Sequence, residues 1–238
     1  MSKNSLMRIA RNDMRSVEKM DLASLGIHVH FQEDDITKAV AIIIGPPGTP
    51  YEDGILFFRI RFPQNYPFSP PKVTYVSSSR IRIHPNLYVG KAVSNYEGKV
   101  CLSVLNTWSG PKWTSVMNVS SVLITLQSVL DENPLRNEPG YEKIGGEIND
   151  VYNLLVQHDT LKTLIIQNGL SPDSPFQDMT AFRKVIIPHL IASLQRIHDK
   201  AYKLATEHPA KKTYSMGTYH IKSTIDFPSL HELLLNSG

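Results

Sequence analysis

Apolar and polar residues alternate with two different periodicities along the chain, one typical of strands and one typical of helices. Between residues 27 and 76, four short segments rich in β-branched and aromatic residues alternate with connectors of Gly, Pro, Asn and Asp. Such segments predict strands, namely IHVHF at 27–31, AVAIII at 39–44, ILFFRIRF at 55–62 and KVTYV at 72–76. Because short connectors favour pairing between successive strands, we expect an antiparallel meander.

Helical spacing of apolar residues is found before and after these segments. Helices are predicted at 6–17, 119–130, 147–167, 178–206 and 227–235. Asn118 can cap the second of these helices, and Pro188 is expected to kink the fourth. Strands that are segregated from helices imply an α+β fold rather than a parallel sheet.

The first predicted helix is amphipathic. Its expected buried stripe consists of Leu6, Ile9, Ala10, Met14 and Val17. Three basic residues lie off that stripe and form a basic outer face: Arg8, Arg11 and Arg15.

Composition places the chain in a reducing compartment and gives it no membrane segment. The single cysteine, Cys101, cannot form an internal disulfide, and the start of the chain has no apolar signal core. The longest apolar run, at 39–44, is too short to span a bilayer. The formal charge of +3 is spread along the chain, so no nucleic-acid partner is predicted. We expect a cytoplasmic protein, with the nucleus as a second compartment.

Histidine spacing gives no metal site. The nine histidines are scattered, and the only close pair is His28 and His30, which share one face of a predicted strand. Because a zinc site needs further ligands, this pair is interpreted as ordinary packing. No metal and no cofactor are predicted.

Cys101 lies in NYEGKVCLSVL, at residues 95–105, between two apolar stretches. The residues alone leave three alternatives: a buried small hydrophobe, a metal ligand or a nucleophile. The buried hydrophobe is the ordinary reading of a lone cysteine.

Three sequence pieces occur in an order that bears on this choice. They are GPPGTPYEDGILFFRIRFPQNYPFSPPKV at 45–73, HPN at 84–86 and GKVCLSVL at 98–105. Together they resemble the ubiquitin-conjugating enzymes. The resemblance covers residues 5 to 150 and implies an N-terminal helix, a four-stranded meander, an active-site loop and C-terminal helices. We therefore expect a catalytic core at 1–150 and an extra helical extension at 151–238, packed on or beside the core.

The resemblance makes Cys101 the nucleophile. It implies that the thiolate accepts ubiquitin, or a related modifier, as a thioester from an activating enzyme. The modifier is then passed to a lysine of a protein substrate, usually with a ubiquitin ligase. Lys99 favours the thiolate modestly. This role predicts that the sulfur of Cys101 is open to solvent.

His84, Pro85 and Asn86 form a turn on residue chemistry alone. The resemblance adds a catalytic reading, in which the Asn86 amide supports the oxygen of the attacked carbonyl or orders the active-site loop. Within the same turn, it gives His84 a structural part.

Other residues are assigned to partners by the resemblance. The expected ligase-binding residues are Phe68, Trp113, Ser115 and Val116. The expected activating-enzyme contacts are Arg8, Arg11 and Arg15, which would meet an acidic surface. Thr114, Ser115 and Val116 replace the Ser-Pro-Ala found in many members, so weak binding of standard RING-type ligases is expected.

Some features depart from the common family pattern. The stretch between Asn86 and Cys101 is longer than usual, with an insertion near VGKAVSN at 89–95. Arg136 or Asn137 occupies the place where many members carry an acidic residue, and Glu138 is the nearest acid. TWSGPKW, ENPLRNEPGYE and the tail resemble the extended, Z-type subgroup, which is associated with an alternative activating enzyme.

Two alternative functions stay open. One is an inactive family relative that acts as a binding scaffold in the ubiquitin pathway, although such relatives lack the cysteine. The other is a cysteine protease with His84 as its base, which the adjacent Pro85 and the missing acidic residue disfavour.

Overall fold

A computed structural model describes residues 2–90, 96–170 and 177–236, with the backbone alone at 177 and 178. The predicted insertion at 89–95 therefore lies mostly outside the described residues. The chain divides into two compact units. Unit 1 comprises Met1–Ile44, Leu56–Ser78 and Asn86–Leu130, and unit 2 comprises Gly45–Ile55, Ser79–Pro85 and Asp131–Gly238.

A five-stranded sheet forms the centre of unit 1. Its strands are β1 (Ile27–Phe31), β2 (Lys38–Ile44), β3 (Ile55–Arg61), β4 (Lys72–Val76) and β5 (Glu97–Lys99), in that spatial order. The pairs β1–β2, β3–β4 and β4–β5 are antiparallel. The meander of four strands predicted from the sequence is confirmed, and β5 adds a fifth strand at its edge.

The short edge strand β5 is held in the sheet by hydrogen bonds between charged side chains and by close backbone packing at a glycine. Glu97 accepts hydrogen bonds from Arg59 at 3.1 Å and Arg61 at 3.3 Å, both on β3, across the intervening strand β4. Gly98 lies so close to the backbone of Tyr88 that a Cβ atom there would come within 1.5 Å of the Tyr88 carbonyl oxygen. Position 98 therefore accepts no side chain.

The N-terminal helical region differs from its predicted stripe. It runs through α1 (Lys3–Arg8), a π-helical stretch (Ile9–Met14) and α2 (Arg15–Lys19). The side chains it buries are Ser5, Ile9 and Asp13, whereas Leu6 and Ala10 are exposed. The predicted stripe is therefore confirmed at Ile9 and wrong at Leu6 and Ala10, and a polar partner inside unit 1 holds Asp13 inward.

The partner of Asp13 is a buried tyrosine. The Tyr66 hydroxyl donates to both carboxylate oxygens of Asp13, at 2.7 and 2.8 Å. The backbone N–H of Val119 donates to the same carboxylate at 2.8 Å, at the start of α3 (Val119–Ser128). Burial raises the pKa of Asp13, and these hydrogen bonds partly offset that effect. Asn118 caps α3 through a capping box with Ser121, as its sequence predicts.

Unit 2 contains the remaining helices and a hairpin. The helices are α4 (Glu147–Asp159), which continues as a π-helix (Thr160–Leu170), α5 (Arg183–Glu207) and α6 (Phe227–Leu235). The hairpin pairs β6 (Lys212–Met216) with β7 (Ile221–Ile225) in antiparallel register. The extension was expected to be helical, so this hairpin corrects that expectation. The boundary predicted at 150/151 falls inside α4.

The first turn of α4 also departs from its predicted packing. Helical spacing of apolar residues over 147–167 predicts an inward-facing Ile148, but 50% of its surface is exposed. The neighbouring Asn149 is buried instead, and its amide donates to the Asn133 side chain at 2.9 Å. A hydrogen bond available to the amide therefore sets which side of this turn faces inward.

Within unit 2, a cluster of charged side chains connects helix α5 to the loop at 45–55. Asp53 is buried with a left-handed backbone at φ 64°. Arg196 donates to its two carboxylate oxygens at 2.9 and 2.7 Å, and His189 lies 3.1 Å from one of them. A paired guanidinium and carboxylate form a directional, charge-assisted contact, so α5 fixes this loop.

His158, near the end of α4, is buried in its neutral form. Its Nε2 accepts a hydrogen bond from the backbone N–H of Asp226 at 3.1 Å, and its ring packs edge-on against Phe227. Burial lowers the pKa of His158 to about 4, and nearby Lys162 acts in the same direction. The folded protein therefore resists protonation at this residue.

We predict that replacing His158 by Gln weakens the acid sensitivity of folding. The unfolded chain takes up a proton at His158 below about pH 6.5, whereas the folded chain does so only near pH 4. The stabilisation by neutral His158 is therefore complete above pH 6.5 and is lost as the pH falls towards 4. At pH 5 this loss is on the order of 2 kcal/mol.

Urea unfolding at pH 7.5 and pH 5 measures this difference. Gln at position 158 keeps an acceptor but does not titrate, so H158Q should lose less stability between the two pH values. Burial raises the pKa of neighbouring Asp159 to about 6, an effect of opposite sign that both proteins share. H30Q, at an exposed histidine, should keep the parent's pH dependence. Equal losses for H158Q and the parent would contradict the buried neutral histidine.

Candidate active site

Asn86 and Cys101 are paired in unit 1 through both backbone and side chain. The N–H of Cys101 donates to the carbonyl of Asn86 at 2.9 Å. In return, the Asn86 side-chain amide Nδ2 donates to the carbonyl of Cys101 at 2.5 Å. Leu87 and Val100 form the next bridge of the same antiparallel pairing. The long stretch between the two residues therefore leaves the turn and the cysteine in direct contact.

A hydroxyl closes the loop that follows Cys101. Thr107 accepts from the N–H of Leu102 at 2.9 Å and donates to the carbonyl of Val100 at 3.0 Å. Asn106 adopts a left-handed conformation at φ 58° and accepts from the N–H of Trp113 at 3.0 Å. Together these contacts fix the backbone on both sides of the cysteine.

Sequence reasoning missed Asn106 and Thr107. Asn tolerates left-handed backbone angles, and Thr hydroxyls bond to nearby backbone groups. The dipeptide Asn106-Thr107 before WSGP carries that signal, although its hydrogen-bond partners become evident only in the structure.

The expected exposure of the Cys101 sulfur is wrong for this conformation. Only 2% of the residue surface is exposed. Cys101 lies between buried Val100 and Leu102, and its backbone is fixed to Asn86 on both sides. The short side chain of Cys101 is therefore enclosed by the surrounding residues. A large electrophile can reach the sulfur only when these surroundings open locally.

His84 is wholly buried in unit 2. Its ring lies 6.2 Å, centroid to centroid, from the ring of Tyr51, which is also buried. Such surroundings are those of a packing residue rather than of an exposed general base, in agreement with the structural part that the resemblance gives it.

The four predicted ligase-binding residues lie on two loops of unit 1 that are tied together. Trp113 is buried and donates from its indole N–H to the carbonyl of Pro67 at 2.7 Å. Phe68 and Val116 are 83% and 82% exposed, and Ser115 is exposed as well. Trp113 thus joins the loops, while the apolar side chains of Phe68 and Val116 face solvent.

The three arginines of the N-terminal helical region differ in their surroundings. Arg8 donates to the carbonyls of Ser115 and Met117, at 3.0 and 3.1 Å, and so ties the helix to the Val116 loop. Arg11 and Arg15 are exposed. Arg8 therefore has an internal role, and the other two present the basic face.

The residues near the expected acidic position contact other groups of unit 2. Arg136 donates to the Ile144 carbonyl at 3.0 Å, and Asn137 donates to Asp131 at 2.9 Å. The carboxylate of Glu138 accepts a short hydrogen bond of 2.6 Å from the Tyr219 hydroxyl. Each side chain is thus held by a neighbour.

The described parts of the chain contain neither a cluster of metal-binding side chains nor a membrane-spanning helix. Among residues 2–90, 96–170 and 177–236, no group of three His, Cys, Asp or Glu side chains could hold a metal ion. Across the same residues, every helix is too short or too polar to cross a bilayer. His28 and His30 lie on β1, opposite Ile42 and Val40 of β2.

Comparison with known proteins gives a family match. Residues 10–155 match the family described as ubiquitin-conjugating enzyme. That range includes both Asn86 and Cys101, together with the loops of Phe68 and Val116.

Individual relatives agree with this match. The chain is 39% identical over 168 residues to ubiquitin-conjugating enzyme E2 Z of Danio rerio, covering 69% of this chain and 48% of the relative. It is 40% identical over 164 residues to the Homo sapiens protein of that name, covering 67% and 43%. The chain thus spans about half the length of the relatives it matches.

A solved structure shares the fold. The E2 domain of a Toxoplasma gondii ubiquitin conjugating enzyme superposes with a TM-score of 0.50 and 24% identity, over 67% of this chain and 98% of that one. The expected α+β fold is confirmed.

We predict that the Cys101 thiol of the native protein reacts slowly with a bulky disulfide reagent. Because the chain has one cysteine, the measured rate belongs to this residue alone. If local opening around Cys101 costs a free energy of about 1.4 kcal/mol, the thiol is accessible only about a tenth of the time. The reaction is then about tenfold slower than that of a freely exposed thiol. The comparison is between native protein and protein in concentrated guanidinium. Equal rates would show that the sulfur is accessible in the native state.

Proposed function

Since the chain belongs to the ubiquitin-conjugating enzyme family, we propose that it carries ubiquitin, or a related modifier, as a thioester on Cys101. The modifier arrives from an activating enzyme and leaves for a lysine of a protein substrate, usually with a ligase. The observation that carries this proposal is the reciprocal pairing of Asn86 and Cys101 inside the family-matched region.

The first step is a thioester exchange. The Cys101 thiolate attacks the carbonyl carbon at the C-terminus of the modifier, a new C–S bond forms, and the thiolate of the activating enzyme leaves. One thioester replaces another, so this exchange is nearly balanced in free energy. The ATP is consumed earlier, by the activating enzyme. Sulfur suits this step because it is nucleophilic even when only a small part is ionised.

The second step forms an amide. The neutral ε-amine of a substrate lysine attacks the same carbonyl carbon, negative charge develops on the oxygen, and the Cys101 thiolate leaves as the amine loses a proton. A hydrogen-bond donor near that oxygen lowers the barrier. In the conformation described here, the Asn86 amide donates to the Cys101 carbonyl, which supports a role in ordering the loop.

The buried sulfur adds a condition to this mechanism. An extended C-terminal peptide has to reach an atom whose residue is 2% exposed. We propose that the structure represents a closed resting form, and that the encounter with the loaded activating enzyme opens the surroundings of Cys101. The free energy of opening is then part of the barrier to loading.

Two surfaces of unit 1 are proposed to bind partners. Phe68 and Val116 present exposed apolar side chains on loops that Trp113 connects, a suitable arrangement for a ligase. Arg11 and Arg15 are proposed to steer an acidic surface of the activating enzyme towards the N-terminal helical region. A cytoplasmic or nuclear location is proposed because a working free thiol needs a reducing compartment.

The burial of Cys101 also favours a second candidate function. A family member whose cysteine stays covered could act as a scaffold that binds ubiquitin-pathway proteins without accepting the modifier. The two functions differ in one covalent bond, and a loading assay separates them.

We predict that the chain forms a reductant-sensitive adduct with the modifier. Protein, ATP and modifier are incubated with each of a panel of activating enzymes and analysed on gels with and without reductant. A band of higher mass should appear without reductant, vanish with it, and be absent for Cys101→Ser, which leaves no thiol in the chain. Absence of that band with every activating enzyme and modifier would favour the scaffold.

We predict that Asn86→Ala keeps most of the loading but slows discharge of the thioester to free lysine. Loss of one well-placed donor typically costs a factor of about 100, and loss of loop order alone about tenfold. Single-turnover discharge of pre-loaded protein gives the rate. Asn65→Ala removes an exposed amide that donates to Ser69 at 2.7 Å, and serves as the matched control. Equal discharge rates for Asn86→Ala and the parent would remove Asn86 from the mechanism.

A further inference from the structure

Two buried tyrosines hold consecutive carbonyl groups just ahead of the His84 turn, all within unit 2. The Tyr152 hydroxyl of α4 donates to the carbonyl of Arg82 at 2.7 Å. The Tyr51 hydroxyl donates to the carbonyl of Ile83 at 2.6 Å. Neither tyrosine is exposed, and burial raises the pKa of Tyr152, so its hydroxyl stays protonated and remains a donor.

A third tyrosine holds the side chain of Arg82. The Arg82 guanidinium lies 4.3 Å from the centroid of the Tyr219 ring, an arrangement that favours a cation–π interaction. The same guanidinium donates to the carbonyl of Pro85, inside the turn. The Tyr219 hydroxyl donates to Glu138 at 2.6 Å. Arg82 thus connects Tyr219 with the residue directly before Asn86.

The backbone at Tyr219 is strained. Tyr219 and His220 have φ values of 59° and 51°, at the tip of the hairpin formed by β6 and β7. A left-handed residue other than glycine costs about 1–3 kcal/mol and persists only where its surroundings fix it. Strain at two successive residues indicates that the ring position of Tyr219 is maintained against a local preference.

Another contact reaches the beginning of the same segment. The Ser79 hydroxyl donates to the Asp159 carboxylate of α4 at 2.8 Å. The segment Ser79–Pro85 is therefore held along its length by α4, by the hairpin and by the loop at 45–55. Asn86 is the next residue in the chain, and its side chain donates to the Cys101 carbonyl.

We propose that Tyr152 and Tyr219 are positioning residues for lysine discharge, which act through the segment that ends at Asn86. Together with Tyr51 they form what we call the tyrosine brace. The inference rests on the proposed function and assigns a catalytic task to the C-terminal part of the chain. That part orders the approach to the turn, so the Asn86 amide is held in one orientation during the slow step.

The first test compares Tyr152→Phe with the parent. The variant keeps the buried ring but removes the donor to Arg82. Loading of Cys101 should be unchanged, and discharge to free lysine should slow about tenfold through a lower kcat at constant KM, because reacting groups lose alignment. The matched control is Tyr202→Phe, the same chemical change at an exposed position of α5, which should leave both steps unchanged.

The second test separates the ring of Tyr219 from its hydroxyl. Tyr219→Phe keeps the ring beside Arg82 and removes the hydroxyl that donates to Glu138, whereas Tyr219→Leu removes both the ring and the hydroxyl. If the ring acts through Arg82, Tyr219→Leu should slow discharge about fivefold more than Tyr219→Phe does. Equal rates for these two variants would exclude a role for the ring in positioning.

A double-variant cycle tests whether the brace acts through Asn86. The effect of Tyr152→Phe on discharge should disappear when Asn86 is already Ala, because the group being positioned is gone. If Tyr152→Phe and Asn86→Ala instead slow discharge by independent factors that multiply in the double variant, the proposal is overturned. Unfolding midpoints of all variants identify any loss that comes from stability alone.

Hydrogen exchange gives a readout that needs no activating enzyme. The amides of residues 83, 84, 86 and 87 should exchange faster in Tyr152→Phe and Tyr219→Leu than in the parent and in Tyr202→Phe. Unchanged exchange in both variants would overturn the brace even if loading is never observed. If loading succeeds but the brace variants discharge normally, the inference fails while the proposed function stands.

Discussion

The reciprocal hydrogen bonds between Asn86 and Cys101 are the constraint on which the rest of the site depends. They use both backbone groups of the cysteine and leave the orientation of the loop little freedom. The chain passes from unit 2 to unit 1 between Pro85 and Asn86, which is one of five such passages along the sequence. Order in either unit therefore bears on the same short stretch.

Much of the fold could be predicted because its elements carry strong periodic signals. The strands at 27–31 and 72–76 match their sequence segments end to end, and the capping role of Asn118 follows from its side chain. The edge strand EGK has no such signal, since it contains no β-branched or aromatic residue. Its existence depends on pairing with β4 and on Glu97 reaching the arginines of β3, which are long-range contacts.

The candidate site was predictable in its members but not in their surroundings. Family resemblance selected Asn86 and Cys101, and the structure places them in contact. The inward position of Asp13 could not be foreseen, because a carboxylate is normally exposed unless a partner distant in sequence, here Tyr66, compensates for burial. Exposure of the sulfur was misjudged for a similar reason, since burial is a property of the packed chain.

A covered cysteine also changes how the protein withstands oxidants. Peroxide converts accessible thiolates stepwise to sulfenic and then irreversible sulfinic acids, and susceptibility follows exposure. With 2% of its surface open, Cys101 is shielded from this damage in the conformation described. Under the proposed function, the packing that delays the arrival of the modifier would also preserve the only sulfhydryl group in the chain.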